Sequence, residues 1–320
     1  MVATLDTVPL FHALADRRRI LIAGAGGGFD VMSGLPLYLR LRALGKKVEL
    51  ANLTFTYVGA TEARAIAPGL YEVDASTPGD ERYFPEKHLS SWLEARGLSA
   101  PIYLFEKTGL APLREAWRAL QRLLDFDAVV LVDGGTDILM HGDEAGLGTP
   151  VEDITSLLAV SALDIPTKLV ASVGFGVDAF HGVCHAHFLE NVAALTKANA
   201  FLGTFSLVPG VPEVDGWLEA VSWVQERTPR KESIVCASIA SAVTGCFGDH
   251  HVLARTKEAK TELFINPLMG IVWTFQLDEV ARCCTYASAI EGTRTVFEVS
   301  AALEAHRKGK RLRERRALPM

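Results

Sequence analysis

An apolar run that ends in a glycine loop, with an acid behind it and an amphipathic segment beyond, constrains this chain more than any other feature. It spans residues 20–45, ILIAGAGGGFDVMSGLPLYLRLRALG. The run 17–24 reads as a buried strand, and Gly24, Gly26, Gly27 and Gly28 follow at its end. Glycine admits positive φ and close approach, so backbone rather than side chain would face a ligand there. Beyond it, Ser33, Pro36 and the spacing of Leu35, Leu39, Leu41 and Leu44 predict a helix starting near Ser33 and stopping at Gly45. A second apolar run, 46–55, predicts another strand. The unit is strand–loop–helix–strand, the opening of a parallel sheet.

The same format recurs. DAVVLVDGGTD (127–137) and TKLVASVGFGVD (167–178) each run from apolar strand into glycine and aspartate. A strand fragment followed by a turn is expected within 71–80, and strands at 100–109, at 201–208 and within 261–275. Helical spacing marks 8–15, 85–97, 110–126, 149–163, 184–200, 215–228, 233–245 and most of the remainder to about 310. The expected architecture is α/β, a three-layer Rossmann-like fold with a mostly parallel sheet and helices on both faces. No repeat or flexible linker divides the chain, so one domain over 1–306 is expected, followed by a basic tail at 307–320.

Composition narrows the function. The 320 residues are 49% hydrophobic, with mean hydropathy +0.20, enough for a large core. Net charge is −6, which argues against a nucleic-acid binder. Cys184, Cys236, Cys246, Cys283 and Cys284 form no CxxC pair, so neither a zinc ribbon nor a disulfide framework is expected. No signal-peptide pattern opens the chain and no apolar run is long enough for a membrane span. The expectation is a cytoplasmic protein without a membrane partner. Apolar segments after residue 232 could supply a homo-oligomer interface.

In a parallel α/β sheet, strand-end loops gather on the carboxyl edge, where ligands bind. The trio AGAGGGFD (23–30), VDGGTD (132–137) and SVGFGVD (172–178) therefore predicts one shared pocket. The first loop is not a standard dinucleotide fingerprint. Counted from Gly24, the third position is Gly26 but the sixth is Phe29. A Gly-Lys-Ser/Thr phosphate loop is also absent. What is left is a nest of N–H groups at Gly26–Gly28 suited to phosphate or carboxylate. Asp30 beside it would repel an anion unless a cation or ligand hydroxyls intervene; it reads alternatively as a cap on the following turn.

Asp133, Asp137, His141, Asp143 and Glu144 form the densest polar set. Carboxylates here could hold Mg²⁺ or act as a base beside a hydroxyl. Gly134 and Gly135 supply the close backbone, and Asp30, Asp137 and Asp178 are the candidate cation ligands. The segment HGDEAGLGTPVED (141–153) could close over a ligand, while Thr149, Glu152 and Asp153 read as helix-start chemistry. His181 and His185, four apart, would share a helix face and are candidate acid–base groups with Asp133 and Asp137. Asn266, at the end of an apolar run, could present its amide to a base or sugar. GCFGDHHVLART (245–256) brings Asp249, two histidines and Arg255 together as an anion partner or a solvent loop. The tail RKGKRLRERR (307–316) reads as a solvated or loose terminus.

GAGGGFDVMSGLPLY, VDGGTD and GDEAGLGTPVEDI together resemble an uncharacterised family, domain of unknown function 1152, over nearly the whole chain. That resemblance implies one compact α/β domain and leaves the chemistry open. A weaker likeness is to sirtuins and their NAD-binding relatives. Their GAG loop followed by SGIP is similar to Gly24-Ala25-Gly26 and Ser33-Gly34-Leu35-Pro36, though three more residues separate the halves here. The sirtuin cysteine pairs and Gln-Asn-x-Asp stretch are missing. This likeness implies an adenine nucleotide or NAD as ligand. The combined expectation is an enzyme binding a nucleotide or phosphorylated sugar, with transfer or hydrolysis at a glycosidic or phosphoester bond. The alternatives are a metal-dependent amide or ester hydrolase and a non-catalytic metabolite sensor.

Overall fold

The computed structural model describes residues 7–318. Its strands are β1 (Arg19–Gly24), β2 (Lys47–Leu53), β3 (Arg64–Ala67), β4 (Leu70–Val73), β5 (Ile102–Phe105), β6 (Ala128–Asp133), β7 (Thr167–Val173), β8 (Phe201–Ser206), β9 (Gly248–Asp249), β10 (Phe264–Ile265) and β11 (Ile271–Gln276). Nine of them form one sheet, ordered β3-β4-β5-β2-β1-β6-β7-β11-β8; β9 and β10 make a separate ribbon. The centre, β5-β2-β1-β6-β7, is parallel throughout. Both flanks are antiparallel: β4 on β5, β3 on β4, β11 on β7 and β8 on β11.

The innermost strands β1 and β6 are near-continuous apolar runs because both faces are covered. Every residue of β6 is buried. Alternation sorts the side chains into two cores. Ile20, Ile22, Val130 and Val132 join helices Leu35–Ala43, Pro85–Glu94 and Pro212–Arg227. Leu21, Ala23, Val129 and Leu131 join Leu110–Leu124, Pro150–Ser161 and His185–Lys197. The fold is α/β, with helices on both faces of a mostly parallel central sheet. Among the described residues no helix is long and apolar enough to cross a membrane.

Three segments depart from the sequence reading. Helical structure after the glycine loop starts at Asp30, in Asp30–Ser33, and resumes at Leu35 after Gly34. The earlier start follows from the Asp30 carboxylate, which folds back on the loop and closes its turn. The β3–β4 hairpin begins before the strand fragment seen at 71, because β3 is half exposed and carries no apolar run. The basic tail is docked through residue 316. Arg307 donates to the Gly142 and Glu144 carbonyls, and Arg313 meets the buried Glu144 carboxylate. A buried carboxylate needs a cation or several hydrogen bonds, and the tail supplies the cation.

Chain order runs outward from β1 to β2 and β5 on one side, then returns to β6 and β7 on the other. The direction reverses between β1 and β6. A crevice opens at the carboxyl ends of strands at such a switch point.

Candidate functional site

The loops after β1, β6 and β7 meet at that crevice around a cavity of about 260 Å³. The first turns of helices Pro150–Ser161 and Ile234–Val243 complete its wall.

In the first loop, Asp30 Oδ2 accepts the N–H groups of Gly26 and Gly27 at 2.8 and 2.6 Å. Its Oδ1 accepts Gly134 N–H at 3.2 Å, tying the β1 loop to the β6 loop. Two amides that the sequence offers to a phosphate are thus held by the chain's own carboxylate. Gly26 has to be glycine here, since a Cβ would lie 2.6 Å from Glu152 Cβ and 2.7 Å from Asp153 Oδ1. Burial pushes the Asp30 carboxyl up to about 6, against the pull of the glycine N–H groups.

Asp133 ends β6 and receives one long bond, 3.3 Å, from Ile138 N–H. Asp137 opens a 3-10 turn, and its Oδ2 accepts the N–H and hydroxyl of Thr149 at 2.7 and 3.0 Å. Asp178 Oδ2 likewise accepts the N–H and hydroxyl of Thr136 at 2.6 and 3.2 Å. Gly135 lies among these three acids: a Cβ there would come within 2.9, 3.0 and 3.1 Å of Asp178, Asp133 and Asp137 oxygens. Asp153, in the first turn of Pro150–Ser161, is 4% exposed. Each described neighbour leaves it without a hydrogen bond.

Carboxylate oxygens of Asp30, Asp133 and Asp153 lie within 4.8 Å of one another. Burial, reinforced by neighbouring carboxylates, holds Asp133, Asp153 and Asp178 well above the usual range. Burial also raises Asp137, with the charge of His181 opposing. Exposed His181 is the one basic side chain of the lining, which holds no Lys or Arg. Two full charges about 4 Å apart repel by about 4 kcal/mol at an effective dielectric of roughly 20. Such a cluster exists near neutral pH by keeping protons or by taking a cation.

The cavity gathers Gly26, Gly27, Asp30, Asp133, Gly134, Asp137, Asp178 and His181 from the sequence candidates. The carboxylates that converge are not the same three as the expected cation ligands Asp30, Asp137 and Asp178. Asp137 and Asp178 line the same cavity, but threonines hold an oxygen of each, and the oxygens that converge are those of Asp30, Asp133 and Asp153. Gly24, Gly28, Gly135, His185 and Asn266 do not line it. Gly24 backs onto Asn52, Gly28 onto Phe55 and Tyr83, and Gly135 is closed in by the Asp133, Asp137 and Asp178 oxygens. His181 and His185 share no helix face: His181 ends the 3-10 turn Val177–His181, and His185 begins the next helix against the Phe175 ring, centroids 5.0 Å apart. Burial lowers the His185 imidazole. Asn266 Oδ1 accepts Leu268 N–H and caps the turn Pro267–Gly270. The 245–256 knot lies apart from the cavity, with His251 Nε2 at 2.9 Å from Asp249 and Arg255 bonded to the Glu232 carbonyl.

Sequence reasoning passed over Asp153 as a metal ligand because an acid in a first helical turn is also ordinary dipole chemistry. The one signal was its place directly after a glycine-rich loop. Thr149 offers no side-chain cap to its helix and gives its hydroxyl to Asp137 instead. Ser33, Ser233 and Cys236 also line the cavity, and burial pushes the Cys236 thiol up to about 12.

No curated protein matches the chain. The family described as Protein of unknown function (DUF1152) matches residues 86–310, a span that holds Asp133, Asp137, Asp153, Asp178 and His181. The chain belongs to that family of unknown function.

Proposed function

We propose that the chain is a divalent-cation-dependent hydrolase or transferase acting at a glycosidic or phosphoester bond of a small hydroxyl-rich substrate. The observation that carries this reading is the convergence of the Asp30, Asp133 and Asp153 oxygens within 4.8 Å in a cavity whose lining has no Lys or Arg. Hard divalent cations such as Mg²⁺ and Mn²⁺ take oxygen ligands of this kind, with water or substrate completing the shell. A bound cation would supply a Lewis acid for a phosphoryl or glycosyl oxygen.

The chain's own groups have distinct parts in this reading. Asp137 and Asp178, each aimed by a threonine, keep an oxygen for substrate hydroxyls or for the proton of a nucleophile. His181, exposed at the rim, is placed to give a proton to a leaving group. A ribosyl or other diol-bearing ligand suits these acceptors, and nucleotides are one such class.

Titration of chelator-treated protein with Mn²⁺ in a calorimeter tests the reading. Stoichiometric binding is expected, lost in Asp133→Asn and Asp153→Asn. Turnover of nitrophenyl glycosides or phosphate esters should then require the cation. Absence of Mn²⁺ and Mg²⁺ binding at millimolar concentration would sink it.

A further inference from the structure

The cavity has a second wall, and its chemistry is opposite to that of the carboxylates. Helix Ile234–Val243 points its first turn at the cavity, which Ser233, Val235 and Cys236 line. Ser233 Oγ takes the Cys236 N–H at 3.0 Å. The N–H groups of Ile234 and Val235 make no hydrogen bond with any described residue. Free first-turn amides at the positive end of a helix favour an oxyanion. Beside them stands Ser33, 7% exposed, a residue of the same lining whose buried Oγ has the Cys236 thiol as a polar side-chain neighbour and makes no hydrogen bond to a nitrogen or oxygen of the described residues. A buried hydroxyl left open is uncommon and points to a ligand atom. A cation stands at the rim as well: Lys107 Nζ lies 3.8 Å from the centroid of the lining Phe55 ring and 3.7 Å from the lining Glu152.

We infer that the first turn of helix Ile234–Val243, together with Ser33, is an oxyanion subsite, and that the substrate carries a phosphate group there. The inference deepens the cation-dependent reading and rests on it for what the carboxylates do. It also moves the anion. The glycine loop has given the Gly26 and Gly27 amides to Asp30, whereas the amides of Ile234 and Val235 are free. A phosphate seated on that turn lies in the same cavity as the cation ligands, so one oxygen can reach the cation while others take N–H and hydroxyl donors.

Inorganic phosphate titrated into Mn²⁺-loaded protein, followed by calorimetry, tests the subsite. Wild type should bind phosphate. Ser33→Ala should weaken phosphate by about tenfold or more, the usual worth of a hydrogen bond to a charged group, and leave Mn²⁺ affinity unchanged. This variant removes an open buried hydroxyl, so it should fold at least as stably as wild type. Equal phosphate affinity in Ser33→Ala and wild type would place the anion on the cation alone and overturn the subsite. So would failure of the Mn²⁺-loaded protein to bind phosphate. Failure to bind Mn²⁺ instead overturns the cation reading. Phosphate is then titrated into cation-free protein at pH 5, where proton uptake by the raised acids, Asp30 at about 6 among them, weakens their repulsion of an anion: binding weakened by Ser33→Ala upholds the subsite, and its absence overturns it.

Discussion

Two carboxylate clusters among the described residues look alike in composition and differ in what balances them. Asp30, Asp133 and Asp153 converge at the switch point; His141, Asp143 and Glu144 converge one loop away. Glu144 is fully buried, yet its oxygens accept the His141 and Gly142 N–H groups, the Asn191 amide and the Arg313 guanidinium. Arg313 also holds Asp143 and Glu190. The Glu144 carboxylate is therefore fully answered, by four donors with the guanidinium charge among them. Asp153 has no comparable donor, and no Lys or Arg lines its cavity. Clustered acids therefore do not by themselves define a site. An internal cation turns one cluster into a structural staple, and its lack leaves the other open to a ligand.

Removing the internal cation should break this contrast most strongly. Arg313→Ala strands the Glu144 charge, and loss of one partner of a buried pair costs about 3–5 kcal/mol. The 27% exposure of the Arg313 side chain places the expected loss nearer about 2–3 kcal/mol in urea unfolding. Glu144→Gln combined with Arg313→Met should recover most of it. If Arg313→Ala unfolds like wild type, the staple is wrong.

Next comes pH, and the open cluster should lose stability as pH rises, opposite in sign to the contribution of the staple's His141, whose imidazole burial lowers. Asp30 is raised from 3.8 to about 6 in the folded chain, so the folded state keeps a proton that the unfolded state releases. That contribution is fully present below about pH 4 and is lost as pH rises through about 6. For Asp30 alone it is on the order of 3 kcal/mol, and the raised carboxyls of Asp133, Asp153 and Asp178 act in the same direction. Melting temperature in chelator should fall from pH 5 to pH 8, and Mg²⁺ should reverse the fall. A flat profile would show that the acids are not under electrostatic stress.

A neutral side chain in the open cluster should do the opposite of one in the staple. Asp153→Asn removes a buried like charge at constant volume, and cation-free protein should gain about 1–2 kcal/mol at pH 7.5. Destabilisation by that substitution would mean Asp153 has a partner that the geometry does not show. The smallest effect is the control. Asn266→Ala, outside both clusters, should cost about 1 kcal/mol through the lost turn cap and leave Mn²⁺ binding untouched.

How much of this was readable in the residues follows from which distances are local. The strand-to-glycine junctions at 24, 133 and 173 are local patterns, and the carboxyl-edge rule then brings their aspartates together. Helix Pro150–Ser161 was equally visible from Thr149, Pro150 and the acids after them. Which way Asp153 faces was not, because the rotation of that helix is set by Ile154, Leu157 and Leu158 packing in the core. The helix wall at Ile234 was legible as a helix, but not as a neighbour of Ser33, roughly two hundred residues away in the chain.

By itself the sequence determined the parallel α/β frame and the edge on which polar loops gather, because burial on both faces demands apolar strands and glycine punctuates their ends. Tertiary structure decided which charges are answered. Asp30 turning into the Gly26–Gly27 amides, Arg313 reaching Glu144 across 169 residues, and Asp153 left without a donor are matters of long-range placement. Electrostatic balance in a buried site depends on what lies within a few ångströms in space, and chain position does not report that.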